Sequence, residues 1–405
     1  MAAACVFLFT YVAFSLGRVP GLRSDRLGAA VIGAALMVAL HVLTLGQAQA
    51  AVDGSTLALL FGMMALSAAL EVSGAFALTG WWLTQRAHRP LSLLIAVSLA
   101  SGVLSAFLIN DVVCIAFTPL VLAVAEALDY DAKPYLLALA TASNIGSVAT
   151  ITGNPQNILI GSLSGIPYAR FAGALAPVAI VSLAANIAIV AFVHRAALRA
   201  PATNRTAPRP RRLLRPLAWK AAVAFAGVLA AFMAGASPAI AALVGASAIL
   251  LTRSVKPRRF YAHIDWSLLA LFAGLFVVVA GAERAGLAES LFRLLRPLRP
   301  GTVGGLTLLT AVLSNVVSNV PAVMALKSMI PHLPRPESAW LTLAMSSTLA
   351  GNLTLPGSMA TVIVVERARG RCNITFVDFL KVGLPSAIVS LAIGAAWLAW
   401  RFPAH

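Results

Sequence analysis

Four short islands of Asn, Ser, Thr, Gly and Pro interrupt a chain that is otherwise close to continuous hydrocarbon, and they are the places where it can do chemistry. They are Asn110-Asp111, the run Asn144-Ile-Gly-Ser-Val-Ala-Thr-Ile-Thr-Gly-Asn-Pro-Gln-Asn157, the group Ser314, Asn315, Ser318, Asn319 ahead of Pro321, and the stretch Thr348 to Ser358. In lipid a run this rich in Gly, Asn and Pro has to line protein or a wet cavity, because each freed N–H and C=O costs several kcal/mol in hydrocarbon. The breaks themselves are chemically useful: a half-helix N-terminus offers unpaired N–H groups to an anion, and a half-helix C-terminus offers carbonyls to a cation. These residue types hold a small solute or ion rather than break a bond. The candidate binding residues are Asn110, Asp111, Asn144, Gly146, Thr150, Gly153, Asn154 and Asn157 in the first half, with Ser318, Asn319, Gly351, Asn352, Thr354, Gly357 and Ser358 in the second. Replacing Asn144 or Asn319 by Ala, or Asp111 by Asn, is expected to abolish transport and leave stability nearly intact.

Asp111 stands apart from the other acids, most of which fall in loops or near the ends of apolar runs. A carboxylate at the bilayer centre costs about 2.5 to 3.5 kcal/mol on insertion scales and is usually functional. Asp111 is the candidate for a coupling ion, Na+ or H+, with a helix cap at the break as the structural alternative. Lys327 is read as a lysine whose head snorkels to the interface. Gly146, Gly153, Gly351 and Gly357 have the alternative of letting helices pack closely, but their coincidence with Asn and Thr in both halves favours broken helices.

The elements that carry these islands follow from composition. Of 405 residues, 60% are hydrophobic and only 11% charged, against about 25% charged in soluble domains, so the expected fold class is an all-α polytopic membrane protein. Apolar runs place ten transmembrane helices near 1–17, 27–47, 56–75, 135–164, 171–194, 217–234, 238–252, 264–282, 338–365 and 377–400. Two further stretches, 91–127 and 301–331, are too long for one crossing and polar at their midpoints; they read as re-entrant hairpins. The stretches 135–164 and 338–365 read as broken helices.

Charge placement supports this arrangement. The net charge is +17, and Arg195 to Lys220 alone holds eight Lys or Arg among prolines at 201, 208, 210 and 216. Residues 201–216 therefore read as a basic cytoplasmic loop. With the two stretches as hairpins, 22 Lys or Arg fall inside and 8 outside. Both termini are then outside, in a bacterial inner membrane. The run AERAGLAESLFRLLRPLRP, which holds Arg284, Arg293, Arg296 and Arg299, is amphipathic and rests in the interface, as does Ala77 to Pro90 with Trp81 and Trp82 in the first half.

The halves repeat. LLFGMMALSAALEVSGAF at 59–76 aligns with LFAGLFVVVAGAERAGLA at 271–288, SAFLIN at 105–110 with SNVVSN at 314–319, and SVATITGNPQNILI at 147–160 with GNLTLPGSMATVIV at 351–364. The offset drifts from 212 to 209 to 204. Five spans per half turn the second half upside down, so the expected organisation is an inverted repeat over 1–200 and 217–405, the architecture of secondary transporters.

Other functions are disfavoured. There is no GxxxxGK[ST] for ATP and no HExxH, Ser164 in GSLSG has no histidine at its depth, and Cys5, Cys114 and Cys372 have no metal spacing. No enzyme activity, no cofactor, no metal centre and no nucleic-acid partner are expected.

The segments SNIGSVATITGNPQNILIG at 143–161, LSNVVSNVPAV at 313–323 and STLAGNLTLPGSMA at 347–360 resemble the ion transporter superfamily, which includes citrate-transporter-like permeases, divalent anion:sodium symporters and arsenite permeases. The resemblance covers essentially the whole chain. It implies two inverted five-helix repeats, substrate and coupling ion held between hairpin tips and broken-helix loops, and a homodimer. The implied function is secondary active transport of a small anion, a di- or tricarboxylate, a sulfate-like ion or an arsenite-type oxyanion, with a sodium/proton antiporter using Asp111 as the alternative. The tips read Ile109-Asn110-Asp111 and Ser318-Asn319-Val320 rather than the Ser-Asn-Thr of the sodium-coupled dicarboxylate branch. An Asn-Asp pair is closer to the arsenite-permease branch. Thr361 stands where similar proteins often have Asn.

Overall fold

The computed structural model describes residues 1–19, 23–76, 78–79, 81, 89–199, 201, 213–251 and 256–403. Within them the first half holds α1 (Ala2–Leu16), α2 (Arg26–Ala39), α3 (Leu45–Ala51), α4 (Gly54–Ser73), α5 (Pro90–Phe107), α6 (Asn110–Leu128), α7 (Lys133–Ser147), α8 (Pro155–Ser164) and α9 (Tyr168–Val193). The second holds α10 (Arg215–Met233), α11 (Pro238–Leu250), α12 (Pro257–Tyr261), α13 (Trp266–Arg284), α14 (Leu287–Leu295), α15 (Val303–Val317), α16 (Asn319–Leu326), α17 (Pro336–Leu349), α18 (Met359–Ala368) and α19 (Phe376–Arg401). Beyond an isolated bridge between Arg18 and Asp25, no strand pairing occurs among the described residues. Most of the basic run, 202–212, and most of the expected interfacial stretch with Trp82, 77, 80 and 82–88, lie outside the described residues.

Local sequence sets the helix ends. Proline occupies the first turn of α5, α7, α8, α10, α11 and α17, where its missing N–H costs nothing and its φ is preset. Asp53 and Asp265 cap α4 and α13 through backbone N–H groups, an equivalent pair 212 residues apart. Gly17 and Gly74 close α1 and α4 in the left-handed conformation.

Among the described residues seven helices are long and apolar enough to cross a membrane: α4, α5, α6, α9, α10, α13 and α19. α1, α2 and α11 are shorter apolar helices of 15, 14 and 13 residues, roughly 20 Å long against a hydrocarbon core of about 30 Å. The stretch 90–128 is two helices broken at Leu108 and Ile109, and 303–326 is two helices broken at Ser318. Between α7 and α8 the chain passes through a 3-10 turn at Ile151–Gly153; between α17 and α18 it passes through two, at Ala350–Asn352 and Leu355–Gly357.

Packing repeats at the sequence offset. A Cβ on Gly62 would lie 2.7 Å from the Ala242 backbone, and one on Gly274 would lie 2.9 Å from that of Ala30. Both members of each contact differ by 212 residues. Likewise a Cβ on Gly33 would meet Val278 and one on Gly245 would meet Leu66, again 212 apart. So α2 packs on α13 of the other half, and α11 packs on α4, with glycine permitting close backbone approach in each case.

Polar contacts sort the helix ends into two groups. At one end Leu214 N donates to Ser73 O (2.9 Å), Lys133 pairs with Asp378 (2.8 Å), Arg371 Nε donates to Glu126 (2.8 Å), and His263 stands 4.0 Å from Glu71. At the other Arg170 pairs with Glu337 (2.6 Å), Ser162 donates to Asp53 (2.6 Å), and Arg335 donates to Phe402 O (2.9 Å). Lys327 belongs to this second group. Its Nζ is 3.1 Å from Glu283 Oε1, which also accepts from Ser328 at 2.5 Å, so the lysine head has an ion-pair partner at its helix end. α16 ends against α13 and so meets a carboxylate that no local spacing in the chain reveals.

Candidate functional site

Three of the four breaks meet at one side chain, and the fourth joins them through Asn319. Asn144, in the last turn of α7, accepts on Oδ1 from Asn110 Nδ2 (3.0 Å) at the start of α6 and from Ser358 Oγ (2.9 Å) at the start of α18. Its Nδ2 donates to Asn352 Oδ1 (2.8 Å), and Asn352 Nδ2 donates to Thr141 O (3.1 Å). The third island joins through Asn319, whose side-chain amide faces Ser347 O (3.0 Å) and Gly357 O (3.2 Å), two acceptors that assign its nitrogen to that side. Gly351 sits among them: a Cβ there would be 2.9 Å from Ser358, 3.4 Å from the Asn144 amide and 3.5 Å from that of Asn319. Asn110, Asn144, Asn352 and Ser358 are all buried.

A second cluster ties the two broken helices together. Asn154 caps α8 by accepting from Asn157 N (2.8 Å) and donates to Ser147 Oγ (2.9 Å) and Thr348 Oγ1 (3.1 Å). Asn157 Nδ2 bridges the carbonyls of Ser147 (3.1 Å) and Thr150 (3.0 Å), so it fills acceptors that the break leaves open. Thr150 Oγ1 is hydrogen-bonded to Ala106 O, next to the first hairpin break. In the second half Thr354 donates to Asn315 Oδ1 (2.9 Å), and Asn315 Nδ2 donates to Ala350 O (2.9 Å).

The two broken helices are built alike at an offset of 204. Thr150 and Thr354 are extended (φ −140° and −135°) just before a 3-10 turn, and Asn154 and Ser358 are extended (φ −158° and −137°) just after it. Gly153 leaves room for Ser147 O at 2.2 Å from where its Cβ would be, and a Cβ on Gly357 would lie 3.1 Å from Gly351 O. They differ in what caps the second half-helix. Asn154 caps α8, whereas α18 has no side-chain cap, and α16 has none either. Ser318, at the α15–α16 break, has φ +79°, a conformation that costs an L-residue of order 1–3 kcal/mol.

Two of the candidate positions stand differently. Gly146 lies within α7 itself, and its absent side chain admits the backbone of Gly102 on α5, whose carbonyl oxygen is 2.0 Å from an ideal Cβ. Its role is helix packing rather than a break. Asp111 is half-buried one residue past the Asn110–Asn144 bond. Its carboxylate caps no helix: α6 begins at Asn110, after Ile109, without a side-chain cap, and Asp111 N donates to Asn110 Oδ1 (3.0 Å). Ser147, Thr348 and Gln156 are not among the sequence candidates, yet they join the two broken helices, Gln156 donating to Thr348 at 3.2 Å. Their signal is their place inside the islands; a lone Ser or Thr in a helix often bonds its own i−4 carbonyl.

Chemically the assembly is neutral. It consists of amides, hydroxyls and backbone groups, with no Lys, Arg or His among its members, and three half-helix N-termini without a side-chain cap, those of α6, α16 and α18, enter it. No group of three His, Cys, Asp or Glu comes together among the described residues. Such a set can exchange its internal hydrogen bonds for those of a small oxygen-bearing solute.

A family model described as "Citrate transporter" matches residues 11–350. The chain is 29% identical to the silicon efflux transporter LSI3 of Oryza sativa subsp. japonica, over 93% of each chain. It is 27% identical to a 46 kDa membrane protein of Mycobacterium leprae, over 99% of this chain and 98% of that one. Among solved structures it is similar to the Alcanivorax borkumensis YdaH transporter, with a TM-score of 0.56 at 15% identity over 99% and 97% of the two chains, which places the two in one fold.

Proposed function

The chain belongs to the citrate transporter family, a family of membrane transporters, and on that premise we propose that it carries a small oxyacid of the silicic or arsenous acid type by secondary active transport driven by a proton gradient. The observation that carries this reading is the neutral core around Asn144. A multiply charged carboxylate brought into a buried site needs paired charge or many strong donors, whereas the hydroxyls of an oxyacid that is uncharged near neutral pH can donate to and accept from the amides of Asn110 and Asn144 and the hydroxyl of Ser358. A silicon efflux transporter among the relatives supports the same solute class. Asp111, half-buried beside the core, is the group that takes up and releases the coupling proton. The helix ends nearest the basic run face the cytoplasm, which puts both chain termini outside.

A citrate or other tricarboxylate substrate is the second reading, favoured by the family's description. Thermal unfolding of the purified protein against silicic acid, arsenite, citrate and sulfate, with and without sodium and across pH, separates the two. A ligand at 100 times its dissociation constant stabilises by about 2.7 kcal/mol. A shift with silicic acid or arsenite that is indifferent to sodium is the expected result. A shift that needs citrate and sodium together would overturn the oxyacid reading.

Asp111→Asn tests the coupling. Residue type alone has this variant abolish transport; the place of Asp111 beside the core rather than within its hydrogen bonds narrows the expected loss to coupling, so that in proteoliposomes the variant should still exchange solute down its own gradient but no longer accumulate or expel it in response to an imposed pH difference. Uphill transport driven by a pH gradient in this variant would remove Asp111 from the mechanism.

A further inference from the structure

The first helices of the two hairpins carry hydroxyls at the same three positions, and only one set is satisfied. Ser98, Ser101 and Ser105 on α5 correspond at an offset of 209 to Thr307, Thr310 and Ser314 on α15. In the first half Ser98 Oγ donates to Leu94 O (2.8 Å), Ser101 Oγ to Val97 O (2.8 Å) and Ser105 Oγ to Ser143 Oγ (3.0 Å). In the second, the hydroxyls of Thr307, Thr310 and Ser314 are buried (relative exposure 8%, 0% and 0%) and none has a hydrogen-bond partner among the described residues. Spacings of three and four residues put them on one face of α15. That face lies opposite Leu308, Val312 and Val316, which are exposed.

The stripe has a polar terminus at each end. At the base of α15 a cavity of about 400 Å³ is lined by Thr302, Val303 and Leu306 of this hairpin and by Ser338, Thr342 and Phe402 opposite it. Val303 precedes Thr307 by one turn on the same face. One turn past Ser314 the chain breaks at Ser318, and Asn319 enters the polar core. Residues 303 to 319 span roughly 24 Å at the helical rise, which carries the line from the outer end of the hairpin to the site. Along the other wall, Thr342 and Ser346 of α17 give their protons to the carbonyls of Ser338 (2.7 Å) and Thr342 (2.6 Å), and so keep oxygen lone pairs for an acceptor role.

Buried hydroxyls without a protein partner are costly and rare, and a water or solute that bonds them relieves that cost. Resting on the transporter reading, the geometry points to the α15–α17 seam as the solute's route between the core and the end opposite the basic one, a hydroxyl-lined half-pathway for small hydroxylated solutes, while on the matching α5–α7 seam Ser98 and Ser101 give their protons to their own helix and Ser105 bonds across to Ser143, so that no proton donor is left open there. The two halves of the repeat thus differ in their hydroxyl chemistry although they share positions.

The test uses single cysteines in the full-length chain. Thr310→Cys and Ser314→Cys, in vesicles exposing the end opposite the basic one, should react with a membrane-impermeant cationic methanethiosulfonate above the level of the unsubstituted chain, and less so in saturating silicic acid or arsenite. Ser98→Cys and Ser101→Cys should not react from either side. Equal labelling of both seams, or labelling of neither, would overturn the assignment. An independent arm uses Thr310→Val, which keeps shape and removes the hydroxyl. Transport should fall about ten-fold, the scale of one lost hydrogen bond to solute, with the unfolding temperature unchanged or raised; unchanged transport would overturn the pathway. If the wild-type chain moves no solute, the transporter reading fails, while the labelling pattern still decides whether the seam opens.

Discussion

Asn144→Ala should abolish transport and lower the unfolding free energy by about 3 kcal/mol. The change leaves the Asn110 amide, the Asn352 carbonyl oxygen and the Ser358 hydroxyl without the partner they share, and each buried polar group stranded in this way costs about 1–3 kcal/mol. Residue type and position alone make Asn144 a solute ligand whose removal leaves stability nearly intact. Its hydrogen bonds across α6, α7 and α18 make it a structural hub as well. Ser358→Ala separates the two roles, because it removes one bond and keeps the Asn110–Asn144–Asn352 chain. It should cost about 1 kcal/mol and still impair uptake. The pair of measurements is solute flux in proteoliposomes and thermal unfolding in detergent. Wild-type flux in both variants would remove the polar core from the mechanism.

Gly146→Ala should be among the most damaging methyl groups that can be added to this chain. The ideal Cβ falls 2.0 Å from the Gly102 carbonyl oxygen and 2.5 Å from its carbon, so the obstacle is backbone and cannot rotate away. Overpacking costs about 1–3 kcal/mol where side chains can give; here α5 and α7 must separate, and a loss of about 3 kcal/mol or a failure to accumulate in the membrane is expected. Gly227→Ala supplies the contrast, for nothing lies within 4 Å of its Cβ in α10. It should be neutral or stabilising by up to about 1 kcal/mol, the helix-propensity difference between the two residues. Similar unfolding temperatures for the two variants would show that α5 and α7 yield at this contact.

Gly146 also illustrates how far residue type alone can be trusted. In the sequence it shares an island with Asn144, Thr150 and Gly153, and all four read as parts of one break. The helix in fact continues through it to Ser147, and only the proximity of α5 reveals why a side chain is forbidden there. Lys327 is the same case with charge in place of shape: its partner Glu283 is 44 residues away along the chain, beyond the reach of any local pattern.

The apolar content, the polar islands and the offsets of 212, 209 and 204 are all properties of order along the chain, and they suffice to indicate an all-α membrane protein with two breaks per half. Hydrophobic transfer is a one-dimensional constraint, since every stretch must be long enough and dry enough to span, and any stretch that is neither must be explained. Which islands touch is a three-dimensional matter. Asn144 and Asn352 are separated by 208 residues, and their bond depends on how four broken segments cross, as does the difference between the partnered hydroxyls of α5 and the unpartnered ones of α15. Those contacts were decided by close packing of glycine-bearing helices, which brings polar groups together across distances that no spacing rule in a single sequence encodes.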